Sequence, residues 1–231
     1  MVTVTIIIPV YNERPLIAEL LAQVIGADTS PFRKEIIVVD DGSTDGTAEE
    51  LRKFDGRGVR VITHAGNMGK SAAIKSALPS ATGDIILIQD ADLEYSPRDY
   101  KRLLAPFRER NAKAVYGSRF LASGKPAGMK MANRLANKVF TFLVNFLYGA
   151  GITDEGTGYK LFAADVLRAA DIRCSGFEFC PEVTVKLLKR GIDIIEVPVS
   201  YRARDRSGGK KPGIMDGIRV LWTIIKYKFI E

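Results

Sequence analysis

The sequence predicts an α/β chain built on a mainly parallel central sheet flanked by helices. Three observations predict it. Strand-like and helix-like segments alternate through the first half of the chain, the pattern of right-handed crossovers between parallel strands. The strand candidates are continuous apolar runs, as expected of strands covered on both faces. Polar clusters follow three of those runs directly, at the strand ends where ligands of such sheets bind.

The elements follow in order. Residues 3–9 form the first strand, and a helical pattern fills 15–26. Strands at 35–40 and 59–63 flank a helix at 46–54. Residues 69–81 read as helix, 84–90 as strand, 97–110 as helix and 113–118 as strand. After about residue 120 the alternation lapses. Gly124 to Gly128 is a basic loop, and 130–148 is a helix with Phe140, Phe142, Leu143, Phe146 and Leu147 on a broad apolar face. Gly149 to Tyr159 is an irregular, glycine-rich segment holding Asp154 and Glu155. Residues 181–190 read as helix, 192–199 as strand and 207–213 as a Gly/Lys loop. A last helix spans 214–229, with Ile214, Ile218, Leu221, Trp222 and Ile225 at helical spacing. With no internal repeat and no linker, residues 1–231 are expected to form a single domain.

Composition narrows the function. The 231 residues, 46% hydrophobic and 26% charged, can bury a real core. A net charge of +7 suits an anionic partner: a phosphorylated metabolite, an anionic membrane surface or nucleic acid. Zinc-knuckle spacing, a basic low-complexity tail and stacking-aromatic RNA motifs are missing, so no nucleic-acid partner is expected. The single histidine, His64, leaves no Ser-His-Asp triad and no His-based metal site. Cys174 and Cys180 have neither metal-ligand spacing nor a disulfide framework, and read as thiols in a reducing compartment. No secretory leader is visible and no run of about 18 apolar residues occurs. A cytoplasmic protein is the expectation, with chemistry left to carboxylates, Arg and Lys.

The sharpest signal is Ile85-Ile86-Leu87-Ile88-Gln89-Asp90-Ala91-Asp92-Leu93-Glu94, an apolar run ending in acids at every second position. Period-two geometry would turn Asp90, Asp92 and Glu94 to one side, where they repel unless a cation or proton lies between them. Hard oxygen ligands suit Mg²⁺ or Mn²⁺ shared with phosphate oxygens. A solvated loop whose acids cap the helix near Pro97 fits the same residues. Asp40 to Thr47 reads as a turn with Asp45 as N-cap, leaving Asp40 at a strand tip for a base or ribose. Asn67-Met68-Gly69-Lys70-Ser71 opens a helix whose amides and Lys70 could approach a phosphate. It lacks the glycine pattern of a P-loop, and no Gly-x-Gly-x-x-Gly follows strand one, which argues against a dinucleotide dehydrogenase. Arg119, Arg134, Arg202, Arg204, Lys210 and Lys211 are either solvated charges or phosphate grips.

Together these pieces resemble the inverting family 2 glycosyltransferases of GT-A fold, in the dolichol-phosphate mannose synthase-like or polyprenyl-phosphate branch. The resemblance rests on Ile8 to Glu13, Val38 to Asp45, Asn67 to Lys70, Asp90 to Glu94 and Gly117-Ser118-Arg119. It continues through Thr153-Asp154, Gly158-Tyr159-Lys160, Phe177 to Phe179 with Glu182, Glu196 to Arg204 and Gly209 to Lys211, nearly the whole chain. It implies a nucleotide-sugar-binding half at 1–120 and an acceptor-binding half at 121–231. Pro9, Tyr11, Glu13 and Asp40 would hold the nucleoside, with Lys70 and Ala91 beside the donor. Asp90 and Asp92, joined by Glu94, would hold Mg²⁺ or Mn²⁺ on the donor diphosphate. Arg119 and Arg134 would bind the acceptor phosphate, and Arg204 and Lys210 the donor phosphates.

A lipid-phosphate acceptor is anionic and needs no strong base; a sugar hydroxyl would need Asp154 or Glu155 to take its proton. On the first reading the partners are a nucleotide-diphosphate sugar, a polyprenyl phosphate and a membrane surface, with room for a separate membrane subunit. The protein would then sit peripherally on the cytoplasmic membrane face. Phe140, Phe142, Phe146, Tyr148, Trp222, Tyr227 and Phe229, near Lys138, Lys226 and Lys228, could anchor helices in the interface, or could pack on the protein's own core. A sugar-nucleotide pyrophosphorylase would carry a Gly-rich basic loop after strand one, which Tyr11-Asn12-Glu13-Arg14-Pro15 is not. An inactive nucleotide-sugar-binding protein would have no need of Asp90, Asp92, Arg119 and Arg204 together.

Overall fold

A computed structural model describes residues 1–122, 126–204 and 213–230. The strands are β1 (Thr3–Val10), β2 (Arg33–Asp40), β3 (Val59–Thr63), β4 (Ile85–Ile88), β5 (Ala114–Ser118), β6 (Lys160–Ala163) and β7 (Ile194–Pro198). The helices are α1 (Arg14–Gly26), α2 (Thr47–Arg52), α3 (Lys70–Ala77), α4 (Tyr100–Glu109), α5 (Met131–Tyr148), α6 (Ala164–Ala169), α7 (Phe179–Lys189) and α8 (Ile214–Phe229). One sheet of order β3-β2-β1-β4-β6-β5-β7 carries the molecule. Its strands run parallel except β6, which is antiparallel to both β4 and β5. The expected α/β class and mainly parallel sheet are therefore found.

Burial on both faces explains the continuous apolar strands. Val4, Ile6 and Ile8 pack with Ile17, Leu20 and Leu21 of α1 on one face. Ile7, Ile37, Val39, Ile86 and Ile88 pack with Ala73, Ile74 and Ala77 of α3 on the other. In α1, Ile17, Leu20, Leu21 and Val24 are buried at helical spacing. At about 2 kcal/mol for each buried side chain, that stripe outweighs the side-chain N-cap that α1 lacks, a device worth about 1 kcal/mol.

Three departures from the expected elements stand out. The strand expected at 84–90 stops at Ile88, and the acids follow on a turn in which Leu93 has φ of 57°. Period-two alternation therefore does not extend to Glu94. The helix expected at 69–81 ends at Ala77. β6 and α6 were not legible in advance: each is only 4 and 6 residues long, too short to show a period. Because β6 runs antiparallel, Lys160 at its start pairs with Ile88 and Tyr116 near the carboxyl ends of β4 and β5. The segment Thr153–Tyr159 is thereby delivered to the edge where the polar clusters gather.

Glu182 of α7 ties the second half together. Its carboxylate accepts from the backbone N–H of Arg173 (2.7 Å) and Cys174 (2.8 Å), from Lys186 Nζ (2.6 Å) and from Tyr227 Oη on α8 (2.9 Å). Burial alone would raise this carboxyl, but the hydrogen bonds from Cys174, Lys186 and Arg173 bring it down to about 2. A carboxyl held below its unfolded value contributes stability that is fully present above about pH 4.5 and is lost as pH falls through about 2. Urea unfolding should show Glu182→Gln less stable by about 3 kcal/mol at pH 7. The gap to wild type should close as pH falls from 4.5 toward 2. A gap that does not change with pH would refute the linkage.

Candidate active site

The carboxyl edge of β1, β2 and β4 forms the first wall of the site. Val10 pairs with Asp40, so the β1 and β2 tips lie level. Asp40 is buried and accepts from Ser43 N at 3.1 Å. Asn12 cross-links the two loops: its N–H donates to Ser43 Oγ (3.0 Å) and its Oδ1 accepts from Thr44 N (2.8 Å). Pro9 and Tyr11 are partly exposed at the same edge. Glu13 is paired with Arg204, whose Nη1 lies 2.8 Å from both carboxylate oxygens. Burial raises the Glu13 carboxyl against the pull of Arg204. Glu13, Asp40 and Arg204 are thus brought to one edge from positions nearly 200 residues apart.

Asp41 does structural work that the sequence did not reveal. It accepts from Met68 N (2.9 Å) and Gly69 N (2.7 Å) and bonds His64 Nδ1 (2.7 Å). The entrance to α3 is folded onto β2 in this way. Two first-turn amides of α3 are already occupied. Ser71 N donates to Gly176 O (3.3 Å) and Ala72 N to Ser175 O (3.2 Å). Lys70 instead pairs its ammonium with Asp90 Oδ1. The phosphate cradle expected at this helix start is therefore closed by the 175–176 backbone, and Lys70 acts at the acids.

The acids meet in part. Asp92 is pushed up to about 7 by burial, then by the charges of Asp90 and Glu94. Ala91 between them is buried. Gln89 fixes the turn: its Oε1 accepts from Tyr100 Oη (2.7 Å) and Tyr159 Oη (2.8 Å), and its Nε2 donates to Asp90 O (2.8 Å). Gly158 packs beneath, where a Cβ would strike Asp90 Oδ2. Glu94, expected as a third metal ligand, turns elsewhere. Its Oε2 accepts from Tyr201 Oη (2.8 Å) and its Oε1 from Arg204 N (3.2 Å). Among the described residues no three His, Cys, Asp or Glu side chains converge as a metal-holding group. The end of β4 at Ile88 and the turn through Leu93 account for this, since they break the alternation that would have aligned the acids. Two hard, mutually repelling carboxylates on a rigid turn do fit a divalent cation, with Asp90 and Asp92 as its ligands.

The second wall is built on Asp154. This residue is fully buried, and each of its oxygens is occupied. Oδ2 accepts from Arg119 N (3.0 Å) and Nε (2.7 Å); Oδ1 accepts from Arg119 Nη2 (2.7 Å) and Asn137 Nδ2 (2.9 Å). Glu196 of β7 accepts from Thr153 N (2.6 Å) and Asp154 N (3.0 Å), clamping the loop from below. Glu155 is also buried; burial raises its carboxyl and Lys160 opposes the rise. Neither acid is presented to a substrate. Arg134 lies on α5 one turn before Asn137, on the face that meets the 154–156 loop. Lys210 lies outside the described residues. Asn137, Glu196, Gln89 and Tyr201 were not foreseen as site residues. Their roles are not written in the local pattern, because each depends on at least one partner elsewhere in the chain.

Residues 5–170 match the family described as Glycosyl transferase family 2. The chain is 26% identical over 229 residues to dodecaprenyl-phosphate galacturonate synthase of Rhizobium johnstonii, covering 97% of this chain and 66% of that protein. It is 27% identical over 230 residues to dolichol-phosphate mannosyltransferase of Pyrococcus furiosus, covering 97% of this chain and 64% of that protein. It thus spans slightly less than two thirds of the length of both. The fold is similar to that of glucosyl-3-phosphoglycerate synthase from Mycobacterium tuberculosis in complex with Mg²⁺ and UDP. The TM-score is 0.78 at 18% identity, covering 100% of this chain and 80% of that one. A structure of the same synthase with Mn²⁺, UDP and phosphoglyceric acid gives 0.77, also at 18% identity, with the same coverage. Sheet order, the acids after β4 and the family match over most of the chain agree: the protein belongs to glycosyl transferase family 2.

Proposed function

We propose that the protein is a metal-dependent, inverting glycosyltransferase that moves a sugar from a nucleotide-diphosphate sugar to a polyprenyl-type phosphate. The observation that carries the acceptor class is the burial of Asp154 and Glu155. A hydroxyl nucleophile needs a base within hydrogen-bond reach, and the two acids nearest Arg119 in the chain's second half have no face open to one. A phosphate needs none, and it needs cations. Arg119 is gripped by Asp154 through Nε and Nη2, and among the described residues its Nη1 has no partner, which leaves it to donate. Arg134 adds a second positive charge from α5. Two relatives carry a dodecaprenyl or dolichol phosphate in their names, which supports the same reading.

On the donor side, Glu13 and Asp40 would hold the nucleoside beside Pro9 and Tyr11. Asp90 and Asp92 would hold Mg²⁺ or Mn²⁺, with Lys70 tempering their charge. A bound cation supplies Lewis-acid stabilisation of the departing diphosphate. Arg204, seated on Glu13, would add fixed positive charge there, and Lys210 would join it. Attack from the face opposite the diphosphate inverts the sugar carbon.

Membrane contact follows from the acceptor and has its own support. Met131, Leu135, Val139, Phe142 and Phe146 of α5 are exposed, as are Met215, Ile218, Trp222, Ile225 and Phe229 of α8. Both sets recur at three- and four-residue spacing, so each helix carries one outer apolar stripe. Tyr227, by contrast, is buried, and Phe140 and Tyr148 pack against the inner core. Lys138 and Lys228 are exposed beside the stripes, a composition suited to an anionic membrane surface. Among the described residues no helix is long and apolar enough to cross a membrane.

Three outcomes are expected. Purified protein with Mn²⁺ or Mg²⁺, a panel of nucleotide sugars and a short polyprenyl phosphate should form lipid-phosphate sugar from one donor, and chelation should abolish it. Product formed only on sugar hydroxyls would overturn the acceptor. Asp154→Asn should raise the acceptor KM more than tenfold, keep the donor KM within about twofold and leave the pH–rate profile in place, because no base is lost. Loss of the acidic limb of that profile would restore Asp154 as a base. The triple variant Phe142→Ser, Phe146→Ser, Trp222→Ser should bind anionic vesicles about tenfold more weakly in cosedimentation, with donor affinity unchanged. Equal vesicle binding would remove the membrane role of these helices.

A further inference from the structure

We propose that Tyr201 is a positioning residue joining the donor and acceptor sides of the site, its hydroxyl setting Glu94 and its ring setting Arg119. The inference rests on the transferase reading above. Tyr201 lies three residues beyond β7, in a segment that bridges to Tyr95 in antiparallel fashion. Its Oη donates to Glu94 Oε2 at 2.8 Å. Its ring lies under the Arg119 guanidinium, with Cζ 5.2 Å from the ring centroid. The Tyr95 ring meets it edge-on at 5.3 Å and fixes its tilt.

Each contact does a separate job. Glu94 and Asp92 repel each other, so Glu94 needs a donor to hold it in place. Tyr201 supplies that donor, and the same segment donates Arg202 N to Glu94 O (2.9 Å) and Arg204 N to Glu94 Oε1 (3.2 Å). The docked segment is the one from which Arg204 reaches Glu13. The hydroxyl of Tyr201 therefore helps to fix the segment that carries donor-side charge. The Arg119 guanidinium is held at its edge by the Asp154 fork. A fork fixes the plane of a guanidinium but not motion about its long edge; a ring on one face restrains that motion. One side chain thus contacts both halves of the site, one through oxygen and the other through its π face.

Two substitutions separate the jobs. Tyr201→Phe removes the hydroxyl and keeps the ring; Tyr201→Leu removes both. Calorimetry with Mn²⁺ and UDP or GDP, whichever the wild type binds, reads the donor side. Steady-state transfer to a short polyprenyl phosphate reads the acceptor side. Tyr201→Phe should weaken Mn²⁺·nucleotide binding at least fivefold and leave the acceptor KM within twofold. Tyr201→Leu should match that loss and also raise the acceptor KM at least fivefold. A residue needed only for packing would lower the melting temperature and the active fraction, leaving both affinities intact; that result overturns the proposal. So does unchanged or tighter nucleotide binding in the Phe variant, or the same acceptor KM in both variants. If the wild type binds nucleotide but transfers nothing to the lipid phosphate, the acceptor reading fails along with the Arg119 half of this proposal. The donor half is then decided by calorimetry alone.

Discussion

The wall of the site proposed to take the acceptor depends on one buried carboxylate. Taking Asp154 out of water costs several kcal/mol, and the cost is offset only because four donors converge on it, three of them from Arg119. The arrangement runs in both directions. Arg119 is held because Asp154 is buried, and Asp154 can be buried because Arg119 and Asn137 are there. Removing one member of such a pair typically costs about 3–5 kcal/mol, so the loop from Thr153 to Tyr159 has little freedom to move independently. Glu196 adds a second layer by fixing the Thr153 and Asp154 amides. A positively charged group at a strand tip would otherwise sample many rotamers in water. Here it has a defined direction before any ligand arrives, which is what preorganised charge requires.

The reversed strand makes this possible. If β6 ran parallel, the segment before it would emerge at the opposite edge of the sheet, away from Asp90 and Arg119. Running antiparallel between β4 and β5, it brings Gly158 beneath Asp90 and Asp154 against Arg119. The same reversal brings Tyr159 to Gln89, so a single segment braces both walls. Nothing in residues 160–163 announces direction, because a strand of four residues reads the same either way.

That contrast marks what the amino-acid sequence could and could not disclose. Parallel crossovers, the polar tips of β1, β2 and β4, and the arginine after β5 are local patterns, and they stand where the sequence predicted. The role of the acids was only half legible. Alternation predicts three aligned carboxylates, but Leu93 takes a left-handed turn at φ of 57° and sends Glu94 to Tyr201. The helix start at Gly69 looked like a phosphate site by its composition. Its amides are claimed by Ser175 and Gly176, about a hundred residues away, and no local signal carries that information. Asn137, Glu196 and Gln89 belong to the same class: they act by orienting a partner, and an orienting residue looks ordinary until its partner is seen.

Helix α5 links the chemistry to the surface. On one side, Asn137 donates to Asp154, its Oδ1 accepts from Gly156 N, and Thr141 Oγ1 accepts from Glu155 N. On another, Leu135, Phe142 and Phe146 are exposed. An α-helix with its side chains is about 10 Å across, so the arginine that would grip a lipid phosphate and the stripe that would enter a lipid surface are separated by about one helix width. A hydroxyl-bearing sugar dissolved in water gains nothing from that proximity. A phosphate tethered to a long apolar chain does, because its headgroup must reach Arg119 while its tail stays in the membrane. The two faces of α5 therefore favour an amphipathic acceptor on geometric grounds independent of the buried bases. Arg134 lies on the inner side one turn before Asn137, where it would meet the headgroup as it leaves the interface.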